Sequence, residues 1–269
     1  MFEILKKQKL GPDTYLMEVL APGVARKAQP GNFVILRIDE AGERIPLTIA
    51  DYDKKSITVI FLAIGKTTRQ LATLRKGDFL LDFCGPLGES SEIKEIGTVC
   101  LVGGGLGTAS LYIIGRAFKK AGNSVISIIG AKNRDCLFWE DRYKEISDEL
   151  IICTDDGSKG RKGFVTEALN ELMKKKKINR VFAIGPTIMM KAVADLTKDR
   201  IKTIVSLNPI MIDGMGMCGC CRVVVDEKVR FACVDGPEFD AHKVDWREIM
   251  NRNRTYLEEE KCACGGKNG

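Results

Sequence analysis

The spacing of apolar and polar positions changes rhythm twice along the chain. Over residues 1–95, short runs rich in β-branched and aromatic residues recur at 13–19, 32–38, 56–62 and 79–83. Turn signals separate them: Pro22-Gly23, Pro30-Gly31 and Lys76-Gly77-Asp78. Many short strands at that interval predict a small antiparallel β-barrel. A helix-like piece over 67–74 interrupts it, Gly85-Pro86-Leu87-Gly88 closes it, and a polar link over 89–95 follows. From residue 98 the pattern alternates strand and helix. Apolar strands are expected at 98–102, 124–129, 149–154, 180–184 and 202–207. Amphipathic helices are expected at 108–121, 137–146 and 166–175, and Gly185-Pro186 opens a fourth that runs through 196. That alternation predicts an open parallel α/β sheet of Rossmann type over 96–207. The rest, 208–269, is rich in glycine and cysteine. It holds a strand-like run at 222–230, a loop at 235–240, a charged helix at 245–259 and a glycine-rich tail from 261 expected to be mobile. The expected fold class is therefore α/β plus β, in three parts.

Composition narrows the functional classes. A chain of 269 residues with 45% hydrophobic and 29% charged residues has the profile of a globular protein with two domains and a small appendage. The net charge of +6 is mild, and the Lys174–Lys177 run reads as a solvated helix end. No basic stripe is interleaved with aromatics, which excludes a nucleic-acid partner. No apolar run approaches the roughly 18 residues of a membrane span. The start, MFEILKKQKL, has no apolar signal core. Ten cysteines without a secretion signal point to a reducing, cytoplasmic setting and to metal ligation rather than disulfides. Cys84, Cys100, Cys136 and Cys153 lie scattered in apolar or loop contexts and read as small packing residues.

The remaining cysteines carry chemistry. Asp213-x4-Cys218-x2-Cys221, then eleven residues to Cys233, becomes the plant-type two-iron pattern if Asp213 is replaced by cysteine. Gly214, Gly216 and Gly219 allow the tight wrapping such a centre needs. Asp213 is the first candidate for the fourth ligand, because a carboxylate binds iron. Cys220, Cys262 and Cys264 compete with it, although Cys220, flanked by two expected ligands, is expected to point elsewhere. A zinc site is the alternative, but no second cysteine pair stands at fitting spacing. His242, the single histidine, has no partner pattern and reads as structural.

Two further stretches suit phosphates. In Arg44-Ile45-Pro46-Leu47-Thr48 a guanidinium that can fork onto a phosphate and a hydroxyl that can bond a ring heteroatom end a proline-stiffened segment. Gly65-Lys66-Thr67-Thr68 runs into a helix, whose first N–H groups attract anions. An edge strand and a plain helix cap are the blander readings of the two. Gly103-Gly104-Gly105-Leu106-Gly107 follows a buried strand and opens a helix. That is the context of a dinucleotide turn, although Thr108 holds the third motif position. The nicotinamide is then expected near Thr154, Asp155, Gly185 and Pro186, at the strands' carboxyl ends. Lys132 and Arg134, after the second strand, lean weakly toward a 2′-phosphate.

Barrel, nucleotide sheet and two-iron loop, in that order, resemble the ferredoxin-NADP reductase superfamily. The electron-transfer subunit of class B dihydroorotate dehydrogenase shares the order. The segments 44–48, 154–157, 161–164 and Gly185-Pro186 with Met189-Met190-Lys191, together with 213–240, are most similar to the small (alpha) subunits of NADH-dependent reduced ferredoxin:NADP oxidoreductase, also called sulfide dehydrogenase beta subunits. The resemblance covers nearly the whole chain. It implies FAD in the barrel, with Arg44, Pro46, Leu47 and Thr48 near the isoalloxazine and pyrophosphate and Gly65, Thr67 and Thr68 at the phosphates. It implies a [2Fe–2S] cluster on Asp213, Cys218, Cys221 and Cys233, and NAD(H) on this subunit, against the weak lean to NADP. It also implies a heterodimer with a larger subunit that carries a second FAD and [4Fe–4S] clusters. The expected role is the higher-potential branch of electron bifurcation, with a hydride exchanged with NAD(H), single electrons relayed to the partner and no general acid or base. The alternatives are a dihydroorotate dehydrogenase-like electron-transfer subunit and a redox-sensing cluster module without turnover. Cys262-x-Cys264 maps onto nothing in the family pattern.

Overall fold

Strands β1 (Phe2–Lys9), β2 (Thr14–Leu20), β3 (Phe33–Arg37), β4 (Ile45–Tyr52), β5 (Ser56–Leu62), β6 (Phe79–Leu80) and β7 (Asp82–Leu87) form one antiparallel sheet in the computed structural model, which describes residues 1–263. The order is β6-β1-β2-β5-β4-β3-β7. Its two end strands are joined by the single residue Leu81, whose N–H reaches the carbonyls of Arg37 and Ile38, both at 3.1 Å. The sheet therefore curls into a nearly closed barrel. Helices α1 (Pro22–Ala25) and α2 (Lys66–Leu71) sit in its connections. Strand β1 is poorly announced by its sequence because Lys6, Lys7 and Lys9 break the apolar pattern. Lys7 is used: its ammonium donates to the carbonyls of Ala72 and, at 2.6 Å, Leu74, closing the chain after α2. Residues Ile45–Thr48 of the Arg44–Thr48 segment lie within β4, which stands between β3 and β5 in the sheet, and Arg44 precedes it. Its first half pairs with β3 alone, and pairing with β5 begins at Ile49. Pro46 therefore stands where one flank needs no donor.

The second sheet runs β11-β10-β9-β8-β12-β13-β16. Its strands are β8 (Thr98–Gly104), β9 (Ser124–Ala131), β10 (Glu149–Thr154), β11 (Arg161–Lys162), β12 (Arg180–Ile184), β13 (Thr203–Ser206) and, far along the chain, β16 (Glu238–Asp240). Helices α3 (Gly107–Lys120), α4 (Glu140–Ile146), α5 (Val165–Lys175) and α6 (Thr187–Thr197) connect the parallel strands. Helix α4 starts later than the pattern suggests, because a 3-10 turn at Arg134–Cys136 precedes it. The expected loop over 235–240 is corrected in part: its second half is the strand β16, antiparallel to β13. Strand order reverses between β8 and β12, the topological switch where ligands bind. Alternation along β8 separates two cores. Val99 and Leu101 face a cluster shared with the barrel and α3, while Cys100 and Val102 face α5, α6 and the C-terminal lobe.

That lobe departs most from expectation. The run 222–230 is not one strand but a hairpin of β14 (Arg222–Val225) and β15 (Lys228–Phe231). Its turn residues Asp226 and Glu227 take φ of 55° and 60°. The expected single helix is two, α7 (Trp246–Arg252) and α8 (Leu257–Ala263). Asp245 caps the start of α7, and Thr255 Oγ1 donates to the Arg252 carbonyl at 2.7 Å where α7 stops. The expected tail begins later than 261, since α8 runs through Ala263; residues 264–269, with Cys264, lie outside the described residues. Among the described residues no helix is long and apolar enough to cross a membrane.

Candidate functional site: a cleft at the sheet switch and a cysteine loop beside it

The turn after β8 is shaped by close approach. A Cβ on Gly107 would lie 2.1 Å from the Ile184 carbonyl oxygen, so only glycine lets α3 start pressed against β12. Gly105, at φ 54°, has open space over its Cα. This turn borders a cleft of about 900 Å³ between barrel and sheet. Its barrel wall is Phe33, Pro46, Thr48 and Leu62, and its sheet wall includes Gly104, Gly105, Gly107, Asp155, Gly185 and Pro186. The third wall comes from the segment after β13, with Asn208 and Met211, and from Pro237.

Eight of the expected cofactor residues therefore meet at one cleft: Pro46, Thr48, Gly104, Gly105, Gly107, Asp155, Gly185 and Pro186. Others stand beside it. Gly103 lies under the turn, against Thr108. Thr154 is fully buried and its hydroxyl donates to the Lys159 carbonyl at 2.8 Å, which shapes the 155–160 loop. Leu47 packs half-buried on the barrel core. Thr67 donates to Glu43 at 2.6 Å, and Thr68 and Gly65 cap each other across the first turn of α2. Arg44 donates to the Ile212 carbonyl at 3.2 Å, toward the cysteine loop. After β9, Lys132 lines the cleft, whereas Arg134 is turned onto Asp135 at 3.5 Å.

Phe33, Leu62, Ile188 and Asn208 also line the cleft, outside every motif singled out in the sequence, as do Phe164 and Met189, which stand in the segments that carry the resemblance but were given no cofactor role. Phe164 and Ile188 left a signal. They are large apolar residues at helix starts and are 62% and 73% exposed, at the cleft mouth. Phe33 and Asn208 left none, because their position depends on which strand ends meet across the domains.

The cysteine loop is laid on the same barrel. A Cβ on Gly214 would lie 2.8 Å from Ile35 and 2.9 Å from Leu87. Gly214, Gly216 and Gly219 have φ of 76°, 83° and 67°, so the loop turns three times through the left-handed region. The Asp213 carboxylate accepts from the N–H groups of Met215 (3.1 Å), Met217 (2.8 Å) and Cys218 (2.9 Å). Burial works against its charge, but those amides and the Cys218 thiol outweigh it and hold the carboxyl below its usual pKa. Cys221 and Cys233 are buried, with the Cys233 N–H 3.5 Å from the Cys221 sulfur. Burial first, and the Cys221 thiol second, push the Cys233 thiol up to about 12. Cys218 is exposed. Cys220 does not point away from the loop as expected: the Cys218 thiol beside it is the main cause of its raised pKa. Cys262 is exposed on α8.

Asp213, Cys218 and Cys221 on a left-handed glycine loop, with Cys233 brought beside Cys221 by the hairpin, form a donor set that fits an iron–sulfur cluster. Among the described residues no three such side chains stand close enough to hold one metal ion.

Comparison with known proteins agrees with this layout. Residues 208–245 match the family model of the iron-sulfur cluster binding domain of dihydroorotate dehydrogenase B. The chain is 47% identical, over 96% of its length and 93% of the relative's, to the Thermotoga maritima dihydroorotate dehydrogenase B (NAD(+)), electron transfer subunit homolog. It is 33% identical to the electron transfer subunit of that enzyme from Shouchella clausii, over 90% of this chain and 96% of the other. Among solved structures, a chain of NADH-dependent reduced ferredoxin-NADP oxidoreductase, studied for flavin-based electron bifurcation, superposes with a TM-score of 0.93 at 46% identity, covering 98% of this chain and 96% of that one. The chain belongs to the family of the dihydroorotate dehydrogenase B electron-transfer subunits and their homologues, within the ferredoxin-NADP reductase superfamily.

Proposed function

We propose that the chain is an electron-transfer subunit that carries FAD and a [2Fe–2S] cluster, exchanges a hydride with NAD(H) in the cleft, and relays single electrons to a larger partner subunit. The observation that supports this best is contiguity. The cysteine loop rests on Ile35 of β3 and Leu87 of β7, while Phe33 of β3 and Pro46 and Thr48 of β4 line the cleft. One short stretch of barrel thus separates the two cofactor sites.

Bound flavin and cluster together supply the conversion of a two-electron hydride into single electrons. The chain holds and orients. Pro46 and Thr48 form the flavin wall, and the Gly104–Gly107 backbone faces the dinucleotide pyrophosphate with the N-terminus of α3 behind it. Asp155, Gly185 and Pro186 bound the nicotinamide end. Asp213, Cys218, Cys221 and Cys233 take the cluster. No side chain is assigned a proton-transfer role, because hydride exchange needs distance and exclusion of water rather than an acid or base.

The partner in this reading carries its own flavin and [4Fe–4S] clusters, as part of a bifurcating NADH and ferredoxin:NADP oxidoreductase. The names of the Thermotoga and Shouchella relatives favour a second reading, a dihydroorotate dehydrogenase-type partner. Anaerobic titration of the chain with NADH, and separately with NADPH, tests the subunit's role. Rapid bleaching of flavin and cluster absorbance by NADH, with NADPH inactive, is the expected result. Preference for NADPH would transfer the dinucleotide assignment and make Lys132 the residue to change. Absence of flavin would leave only a cluster module.

A further inference from the structure

Strand β4 and helix α3 each touch the cleft at one end and each other at the opposite end. Thr48 of β4 and Ser110 of α3 line the cleft. Three residues on from Thr48, about 10 Å along a strand, stands Asp51. Six residues on from Ser110, about 9 Å along a helix, stands Arg116. The two form an ion pair at 2.8 Å. Both cleft walls are therefore tied together at nearly equal lengths from the site.

The strand geometry aims Asp51 at this role. Ile49 pairs with Val59 but Asp51 pairs with Thr58, so Ala50 is an extra residue, a β-bulge that redirects the next side chain. Ala50 itself is buried in a small apolar seam between the domains with Leu16, Ile60, Ala109 and Phe138. The Asp51 side chain is 18% exposed, and its other oxygen takes Arg142 of α4 at 3.0 Å. Arg142 lies 4.4 Å from the Trp139 ring centroid and 5.3 Å from that of Tyr112. Helix α4 is in turn fixed to the cleft end of α3, because the buried Tyr143 hydroxyl donates to the Thr108 carbonyl at 2.6 Å. Burial works against the charge on Arg116, and Asp51 with Tyr112 outweighs it, so its pKa is raised. One carboxylate with two guanidiniums thus closes a frame of β4, α3 and α4 around one side of the site.

We propose that Asp51 is a positioning residue whose bridge to Arg116 and Arg142 sets the separation of flavin wall and dinucleotide wall, and so the rate of hydride exchange. This rests on the functional reading above. A partly buried carboxylate held by two guanidiniums is strongly oriented, and a misplacement of about 1 Å at reacting centres costs on the order of a hundredfold in rate.

The test is Asp51→Asn, which keeps the shape and removes the charge, with Arg142→Lys as a milder surface variant that keeps the charge and loses the planar stack. Flavin content, cluster absorbance and melting temperature are expected to stay near wild type. The limiting rate of flavin bleaching by NADH is expected to fall at least tenfold in Asp51→Asn and about threefold in Arg142→Lys. Amide hydrogen exchange over residues 104–112 is expected to quicken in both. The double variant Asp51→Asn/Arg142→Gln is expected to be no slower than Asp51→Asn alone, since both changes open one bridge. Unchanged bleaching and exchange would overturn the proposal, as would loss of flavin and thermal stability in proportion to rate. Should the wild-type chain not be reduced by NADH, the functional reading falls, while exchange over 104–112 still decides whether the bridge holds the cleft wall.

Discussion

The chain carries two glycine-rich loops at its candidate cofactor sites, and single glycines in them show two different uses of the residue. At the turn after β8 the decisive property is size: Gly107 admits the Ile184 carbonyl where a Cβ would sit at 2.1 Å. In the cysteine loop it is chirality: Gly214, Gly216 and Gly219 all take positive φ. The first loop gains its shape from the sheet beneath it, and Gly104, Gly105 and Gly107 line the cleft. The second is stabilised from within, by the Asp213 carboxylate collecting three of its own amides. A loop shaped by packing suits a ligand that comes and goes. A loop shaped by its own dihedrals suits a cofactor held permanently.

The sharpest way to break this contrast is to add one methyl group to each loop. Gly107→Ala is expected to destabilise the protein by about 3 kcal/mol through overpacking and to abolish bleaching by NADH, as read by denaturant unfolding and the anaerobic titration. Gly219→Ala meets only the Phe231 ring edge at 3.6 Å, so its cost is the left-handed backbone alone, about 1 kcal/mol, with iron content retained. Equal costs would erase the distinction.

A second prediction concerns Glu238, which lies next in sequence to Pro237 of the cleft wall and takes the Ser91 hydroxyl at 2.6 Å. Burial raises its carboxyl from 4.5 to about 7, against the pull of Ser91. Between those values the unfolded chain releases a proton that the folded chain keeps. Stability is therefore expected to fall as pH rises through that window and to level off above it, by on the order of 3 kcal/mol in total. Glu238→Gln is expected to flatten this slope and to be the more stable protein at pH 8. A retained slope in unfolding curves would assign it elsewhere.

The smallest effect is expected from Asp213→Cys. The thiolate can ligate iron but cannot collect the loop amides as the carboxylate does. Iron content is expected to persist with a shifted absorbance spectrum and midpoint potential. An unchanged spectrum and potential would show that Asp213 serves the loop and not the metal.

Both loops were legible in the sequence because their constraints are local: a glycine run between strand and helix, and cysteines at fixed separations. The strand–helix alternation of the second sheet was legible for the same reason. What was not legible depends on chain brought from far away. The hairpin of β14 and β15 hid because Val225-Asp226-Glu227-Lys228 contains no glycine or asparagine, yet Asp226 and Glu227 both take the left-handed conformation. Strand β16 is three residues long and exists because β13 offers it an edge. Phe33 and Asn208 become cleft residues only when the barrel docks. Asp51 carries no sequence signal, because its partners on α3 and α4 are met only through the bulge at Ala50.

Strand β16 also bears on how freely the parts can be recombined. The chain leaves the sheet after β13, builds the cysteine loop and hairpin, and returns to lay Glu238–Asp240 along the edge it had just left. The iron-binding lobe is therefore threaded through the nucleotide sheet rather than strung after it like a bead. A chain cut after Ser206 would bare a strand edge ready to recruit another molecule. Any graft of this module onto a different reductase has to carry the chain through Asp240.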